Sequence, residues 1–317
     1  MEIVFDRPMT TKERQLPRVD PMSVVLVSAI SLLVGLLYVP LLHWLGWETL
    51  HTQQLVNGAF LVLFALAICV GNAVDKLRFD PQVNPHGLGL IGLAILFLGV
   101  AGTRHSMSLP FLLLSSCLAF AGMVSLVFGP DRVRLFLPAV SSFFVFGVLV
   151  GLVPRLDWPL RAMAAGHAGS MLATLGVPVK IHLVEGHPAE LILDVKGRMF
   201  MVATECNGFG LLTSSLIVAT TLAFQYRLRW VQKLSLWAVA VPIAIICNYM
   251  RIVSICLAAP RTTLPYGFVH ETLGLIFYFL GLGLIWKIAG ETSAKGRSGE
   301  IRSFRHSDTP ALKHSGT

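Results

Sequence analysis

Charged side chains are scarce in this chain: Asp, Glu, Lys and Arg make up 13% of its 317 residues. A soluble domain carries about a quarter, so this surface cannot be solvated by water alone and lipid must be the solvent for much of it. Acidic residues are the scarcer sign, 17 against 25 basic, which leaves a formal net charge of +8. That excess does not point to nucleic acid. The Lys and Arg fall in short clusters between apolar runs, as they do in cytoplasmic loops facing anionic lipid. Cysteine is thin too. Cys69, Cys117, Cys206, Cys247 and Cys256 are odd in number and scattered, with no CxxC pair, so neither a disulfide framework nor a thiolate metal centre is expected. Nor is a cleavable leader expected. The first apolar run starts near Ser23, after a polar segment, and outlasts the short hydrophobic region of a signal peptide.

What the chain has in abundance is apolar sequence, 55% of residues, with a mean hydropathy of +0.71. A helix needs about 20 apolar residues to cross the hydrocarbon layer. Eight stretches qualify: 23–45, 57–74, 87–103, 109–128, 135–153, 206–225, 234–259 and 268–286. An all-α polytopic membrane protein of about eight spans is therefore expected. The positive-inside rule sets its orientation. With the N-terminus inside, the cytoplasmic side receives Arg7 to Arg18, Lys76 and Arg78, Arg132 and Arg134, Arg227 to Lys233, and the basic stretch after Lys287. The opposite orientation would put these clusters outside, so both termini are expected in the cytoplasm.

Five parts follow. Residues 1–22 form a cytoplasmic segment, 23–153 the first five spans, 154–205 an extracytoplasmic segment, 206–286 the last three spans, and 287–317 a basic unstructured tail. Within 154–205 the helical spacing of Leu160, Met163, Ala164, His167, Met171 and Leu172 predicts a helix over 159–175 lying at the membrane interface. After it, 177–183, 191–195 and 199–203 read as short strands separated by Gly186-His187-Pro188 and Lys196-Gly197-Arg198. A small extracytoplasmic β-element thus leads into Cys206.

Three residues on three different helices then meet at one membrane level. Cys206 is placed in the first turn of span six, where unpaired amide N–H groups and the helix dipole favour a thiolate. A cysteine in a membrane helix is ordinarily a small buried hydrophobe, but this one is flanked by polar residues. Arg251 lies inside span seven, about 12 Å from its outer end, at a cost of about 3 kcal/mol by insertion scales. Snorkelling would nearly account for it, but not for Asn248 one turn earlier on the same face, nor for Pro242 loosening the helix below. His270 opens span eight. A lone interfacial histidine usually has no task; a Cys, an Arg and a His converging at the outer face do. The thiolate can attack a carbonyl, the imidazole can move protons, and the guanidinium can hold an oxyanion. Glu205 and Glu271 adjoin members of this set and read more simply as solvated rim charges.

Other signals carry less. Gly87-Leu88-Gly89-Leu90-Ile91-Gly92 spells GxGxxG without a preceding strand, and close helix approach explains it better. Gly274, Gly281 and Gly283 are read the same way. His167, His182 and His187 lack metal-ligand spacing. No cofactor is expected.

The blocks Thr204-Glu205-Cys206-Asn207-Gly208, Asn248-Tyr249-Met250-Arg251-Ile252 and His270-Glu271 with Gly274 resemble, in order and spacing, the signature blocks of the exosortase/archaeosortase family. Leu175-Gly176-Val177-Pro178 ahead of the first block fits as well. The likeness spans about residues 135–290; the first four spans match in kind only. Many bacterial members have Ser or Thr after the cysteine, where this chain has Asn207. The resemblance implies a membrane-embedded cysteine transpeptidase at the outer face of the plasma membrane. It would act on exported proteins with a C-terminal sorting signal, meaning a short motif, one transmembrane helix and a basic tail. The acceptor is left open by the sequence, a lipid and a polysaccharide being the candidates. It also implies Cys206 as nucleophile, His270 as acid/base and Arg251 as oxyanion or substrate clamp, with Glu205 and Asn248 in support. Besides the lipid bilayer, no other partner is implied. Two other classes compete: a different multi-pass hydrolase or acyltransferase using Cys206, separable by its product, and a transporter. A transporter would show a repeat of the 206–286 block in residues 20–155, and none is visible.

Overall fold

Asp20 caps the first helix, α1 (Pro21–Leu37), its carboxylate accepting the Met22 and Ser23 amide protons while Pro21 supplies the fixed φ of a first turn. The computed structural model describes residues 20–77, 79, 81–103, 108–184, 190–202 and 206–307. α2 (Val39–His51) follows Tyr38 at a bend of 45°. Pro40 in its first turn has no N–H to bond back into α1, which breaks the run there. α3 (Gln53–Ala73), α4 (Pro85–Thr103) and α5 (Ser108–Phe128) come next. α4 and α5 lie close because Gly87 and Gly122 put no side chain at their crossing; a Cβ at either would fall 2.7 Å from Leu126 or Ile91. Gly89 and Gly92 have nothing comparable near them, so one glycine of the GxGxxG run makes the approach.

α6 (Val133–Thr174) is a single helix of 42 residues, about 63 Å long. This corrects the expected break after residue 153 and the separate interfacial helix over 159–175. Pro138, Pro154 and Pro159 all lie inside α6. Helices packed along it, from α3, α5, α7 and α8, hold its course past the hydrogen bonds those prolines remove. Its outer stripe is not a lipid face. Ala164, Ala165, Ala168 and Leu172 are buried against the sheet and against Ile252, Val253 and Cys256.

The sheet is antiparallel in the order β1-β2-β3, with β1 (Val179–Val184), β2 (Glu190–Val195) and β3 (Arg198–Met201). Lys196 and Gly197, at φ 55° and 79°, make the two-residue turn that joins β2 to β3, the positive-φ hairpin whose twist matches the strands. Leu191, Leu193, Val195 and Phe200 turn inward onto α6 and α8. The expected β-element before Cys206 is present. The expected turn around His187 lies outside the described residues.

α7 (Phe209–Gln225), α8 (Trp230–Ala258) and α9 (Tyr266–Ser307) complete the chain. α9 continues well past residue 286, so the tail expected to be unstructured from 287 is helical as far as Ser307. The long apolar part of α9 serves as a nucleus, and extending an existing helix costs little. Residues 1–19 and 308–317 lie outside the described residues.

Among the described residues six helices are long and apolar enough to cross a membrane (α3, α4, α5, α6, α8 and α9), and the bent α1–α2 pair makes seven if it is one span. The expected count of eight is not reached by this measure, because α7 has only 17 residues. α7 is surrounded by α3, α6, α8 and α9, and Thr213, Ser214, Ser215 and Thr220 on it are fully buried. A helix enclosed by others has to match its neighbours rather than the bilayer, which explains both its polarity and its length. The chain is a multi-pass membrane protein.

Candidate active site

Cys206 follows β3 by five positions and lies in a short 3-10 turn ahead of α7. It is not in the first turn of that helix, as its sequence position suggested. Gly208 caps α7 at φ 85°, a left-handed conformation that L side chains rarely adopt. The chain turns sharply there, and Cys206 is left on the turn. A Cβ at Gly208 would also stand 2.7 Å from the Asn248 amide nitrogen. Two independent constraints thus require glycine.

Four groups hold this turn in place. Asn248, 2% exposed on α8, donates from Nδ2 to the Cys206 carbonyl oxygen at 3.0 Å. Asn207 accepts the Phe209 amide proton on Oδ1 at 2.7 Å and donates from Nδ2 to Asp157 Oδ1 at 2.7 Å. Asp157 in turn is ion-paired with the buried Arg161 one helical turn further along α6. A charged pair on α6 thereby fixes the turn before α7 through a single amide side chain.

The candidate catalytic side chains lie on the other side of the turn. Cys206 is 7% exposed, and its Sγ is 3.2 Å from His270 Nε2. Arg251 Nη2 is also 3.2 Å from that nitrogen. A guanidinium only donates, so Arg251 donates to Nε2, and the one lone pair of that nitrogen faces both the thiol and the guanidinium. Arg251 Nε is buried and has no hydrogen-bond partner among the described residues. Asn248 Oδ1 is in the same state. Gly274, one turn beyond His270, makes room for this arrangement: a Cβ there would be 3.3 Å from Arg251 Nε and Nη2.

A cavity of about 1260 Å³ opens over these groups, reaching from β3 past Cys206, Arg251 and His270 to Leu275 and Phe279 on α9. Leu275 and Phe279 are exposed side chains, so the cavity continues onto the outer face of the helix bundle. Glu271 lines its rim, exposed and with no ion-pair partner among the described residues.

The structure therefore brings together Cys206, Arg251, His270 and Asn248. Glu205 lies outside the described residues. Cys206 differs from Cys247 and Cys256, which like it are buried and in no disulfide, in having an imidazole at hydrogen-bond distance. Sequence reasoning missed Asp157, Arg161 and the part played by Asn207. The Asp157-to-Arg161 spacing of four is a helical ion-pair signal, but nothing in the sequence ties it to a residue 50 positions away. Among the described residues no three His, Cys, Asp or Glu side chains form a group that could hold a metal ion.

A family model described as transmembrane exosortase matches residues 33–287, a range that contains every residue of this site. No curated protein and no solved structure gives a match.

Proposed function

The chain belongs to the transmembrane exosortase family, and on that premise we propose that it is a membrane-embedded cysteine peptidase and transpeptidase. It cleaves a C-terminal sorting signal of exported proteins and passes the new C-terminus to an acceptor. The observation that carries this reading is the position of His270 Nε2, 3.2 Å from both the Cys206 sulfur and Arg251 Nη2.

The chemistry follows from that one lone pair. While Arg251 donates to Nε2, that lone pair is engaged and His270 is held back as the base for Cys206. A substrate carbonyl arriving in the cavity offers the guanidinium a better acceptor, and the lone pair is released. Cys206 then gives its proton to His270 as the sulfur bonds to the scissile carbonyl carbon. The carbonyl oxygen becomes an oxyanion, and Arg251 holds it with fixed N–H donors. When the tetrahedral adduct collapses, the C–N bond breaks and His270 returns the proton to the departing amine, which leaves on the transmembrane helix and basic tail. The exported part remains as a thioester on Cys206. A hydroxyl or amine of the acceptor, a lipid or polysaccharide, loses its proton to His270 and attacks the thioester, freeing the thiol. Water in that place would give a free carboxylate, so product analysis separates transfer from hydrolysis.

Asn248 supports the nucleophile by fixing its carbonyl. Glu205 is assigned a supporting place beside it on the strength of the sequence block alone. The basic clusters support a plasma-membrane topology with eight crossings, α7 included, both termini cytoplasmic and the site on the extracytoplasmic side. Residues 206–286 then form the catalytic unit and 154–205 the extracytoplasmic segment. A reporter fused after Lys287 should read cytoplasmic and one inserted at Gly186 extracytoplasmic; an extracytoplasmic C-terminus would remove this orientation. The central experiment is Cys206→Ala. Substrate processing should cease while the protein still accumulates in the membrane, and persistent processing would mean that the nucleophile is elsewhere.

A further inference from the structure

β3 is an edge strand, and its free edge borders the cavity that holds the reactive atoms. The sheet order β1-β2-β3 leaves one side of β3 without a neighbour among the described residues. Which peptide groups face that side follows from the register. The Val202 amide donates to the Leu191 carbonyl at 2.8 Å, so residue 202 belongs to a hydrogen-bonded pair. Such pairs alternate with non-bonded ones along an antiparallel ladder. Phe200 opposite Leu193 and Arg198 opposite Val195 therefore point their peptide groups into the sheet. Met199 and Met201 point theirs out of it.

All four residues of β3 line the same cavity as Cys206, Arg251 and His270. The edge is also left accessible. Lys180 and the His182–Asp194 pair put charge on and beside the opposite edge strand, β1, a common guard against strand pairing. At β3 the outward peptide groups belong instead to two methionines, 75% and 51% exposed. Thioether side chains adapt to varied apolar neighbours. Below them Phe200 is buried with Leu193 and lies 6.2 Å from the Tyr266 ring, which anchors the strand next to the His270 helix.

We propose that the free edge of β3 receives the substrate as a fourth strand, pairing with the outward peptide groups of Met199 and Met201, a reading that rests on the peptidase function above. The occupant is the extended segment on the amino side of the scissile bond. Its direction is set by chemistry. β3 runs towards Cys206, and the acyl part of the substrate must end at Cys206, so the two strands are parallel. Main-chain bonds supply affinity with little demand on side-chain identity, as in other cases of strand addition. Sequence preference then comes from the side chains that alternate onto Met199, Met201 and the cavity wall.

The test uses the full-length enzyme and an exported protein from the same genome whose C-terminus carries a motif, one transmembrane helix and a basic tail. Met199→Pro and Met201→Pro each delete one outward N–H without removing a bond to β2, and edge strands accept proline at such positions. Met199→Ala and Met201→Ala keep the N–H. Each proline variant should raise the KM for processing about fivefold over its alanine counterpart, the worth of one net hydrogen bond, with kcat unchanged. Because proline could disturb the hairpin, a second measurement leaves the strand intact. A benzophenone amino acid at Met199 in a Cys206→Ala background should cross-link the trapped substrate on the amino side of the cleavage site. The same probe at Lys180 should not. Equal KM in the proline and alanine variants, with no cross-link at Met199, overturns strand addition; loss of processing in Cys206→Ala would then still uphold the peptidase. Processing that survives Cys206→Ala removes both.

Discussion

Arg161 and Arg251 stand on neighbouring helices, α6 and α8, and the fold treats them in opposite ways. Arg161 is buried and ion-paired with Asp157 one turn away. Asp157 passes the constraint on to Asn207 and so to the turn that carries Cys206. Arg251 has no carboxylate at ion-pair distance among the described residues. It rests on an imidazole, faces a cavity, and keeps one buried N–H without a partner. A charge whose partner is built into the same helix contributes structure. On the proposed mechanism, a charge left without a carboxylate beside a cavity is held ready for a negative charge that appears only during reaction. The difference lies in the company each guanidinium keeps, since the residue type is the same.

Substitutions can break or sharpen that contrast. The largest effect is expected at Arg251→Lys. Lysine offers a point charge in place of a planar fork of donors, so turnover should fall by about 10²–10³ with normal membrane levels and undiminished co-purification of uncleaved substrate. Turnover close to normal would reduce Arg251 to a snorkelling anchor. At the paired site, Asp157→Ala should act first on stability. It strands a buried guanidinium, at a cost of about 3 kcal/mol, visible as a lower melting temperature in detergent. The double variant Asp157→Leu with Arg161→Met should restore that stability while turnover stays low, because Asn207 has lost its acceptor. If turnover also recovers, the pair does not position the nucleophile.

Gly274→Ala should separate the two properties again, on a smaller scale. Its Cβ would crowd the Arg251 guanidinium at 3.3 Å and lower turnover about tenfold, since small displacements of a reacting group are costly. Alanine meanwhile favours the helix by up to about 1 kcal/mol, so thermal stability should hold or rise; a parallel fall in both would mean general damage. The smallest effect is expected at Cys247→Ala. That thiol lies beside Gly281 without an imidazole, and its loss should cost about 1 kcal/mol of packing and no turnover. Sensitivity equal to that of Cys206 would mean the wrong sulfur had been assigned.

The contrast between the arginines was half legible in the sequence. Arg251 stands out because an ionised group inside an apolar run is expensive, and Asn248 one turn earlier marks the same face. Arg161 does not stand out, because it falls in the segment outside the spans, at the start of what reads as an interfacial helix. Hydropathy sees three charges among residues 154–161 as the end of a span, and Pro154 and Pro159 argue for the same break. Packing overrides both signals, and packing is not written in local composition. The position of Cys206 failed for a related reason. Span six is expected to begin at residue 206, whereas the left-handed backbone at Gly208 makes that residue the cap and leaves the cysteine outside the helix. The strands of the small sheet, by contrast, were marked plainly by alternating apolar residues and by Lys196-Gly197.

The lone pair shared at His270 has a consequence for the sulfur between turnovers. On the proposed topology the sulfur would meet oxidants outside the cytoplasm, and the conversion of a cysteine to sulfenic and higher acids rises with thiolate character and exposure. With the sulfur 7% exposed, most of its surface is covered between turnovers. On the proposed mechanism a substrate carbonyl draws the guanidinium off Nε2 and frees the base only once the site is filled. The packing that holds Cys206 on its turn thus also shields the idle enzyme, and its working life depends on how often that cover opens with no substrate present.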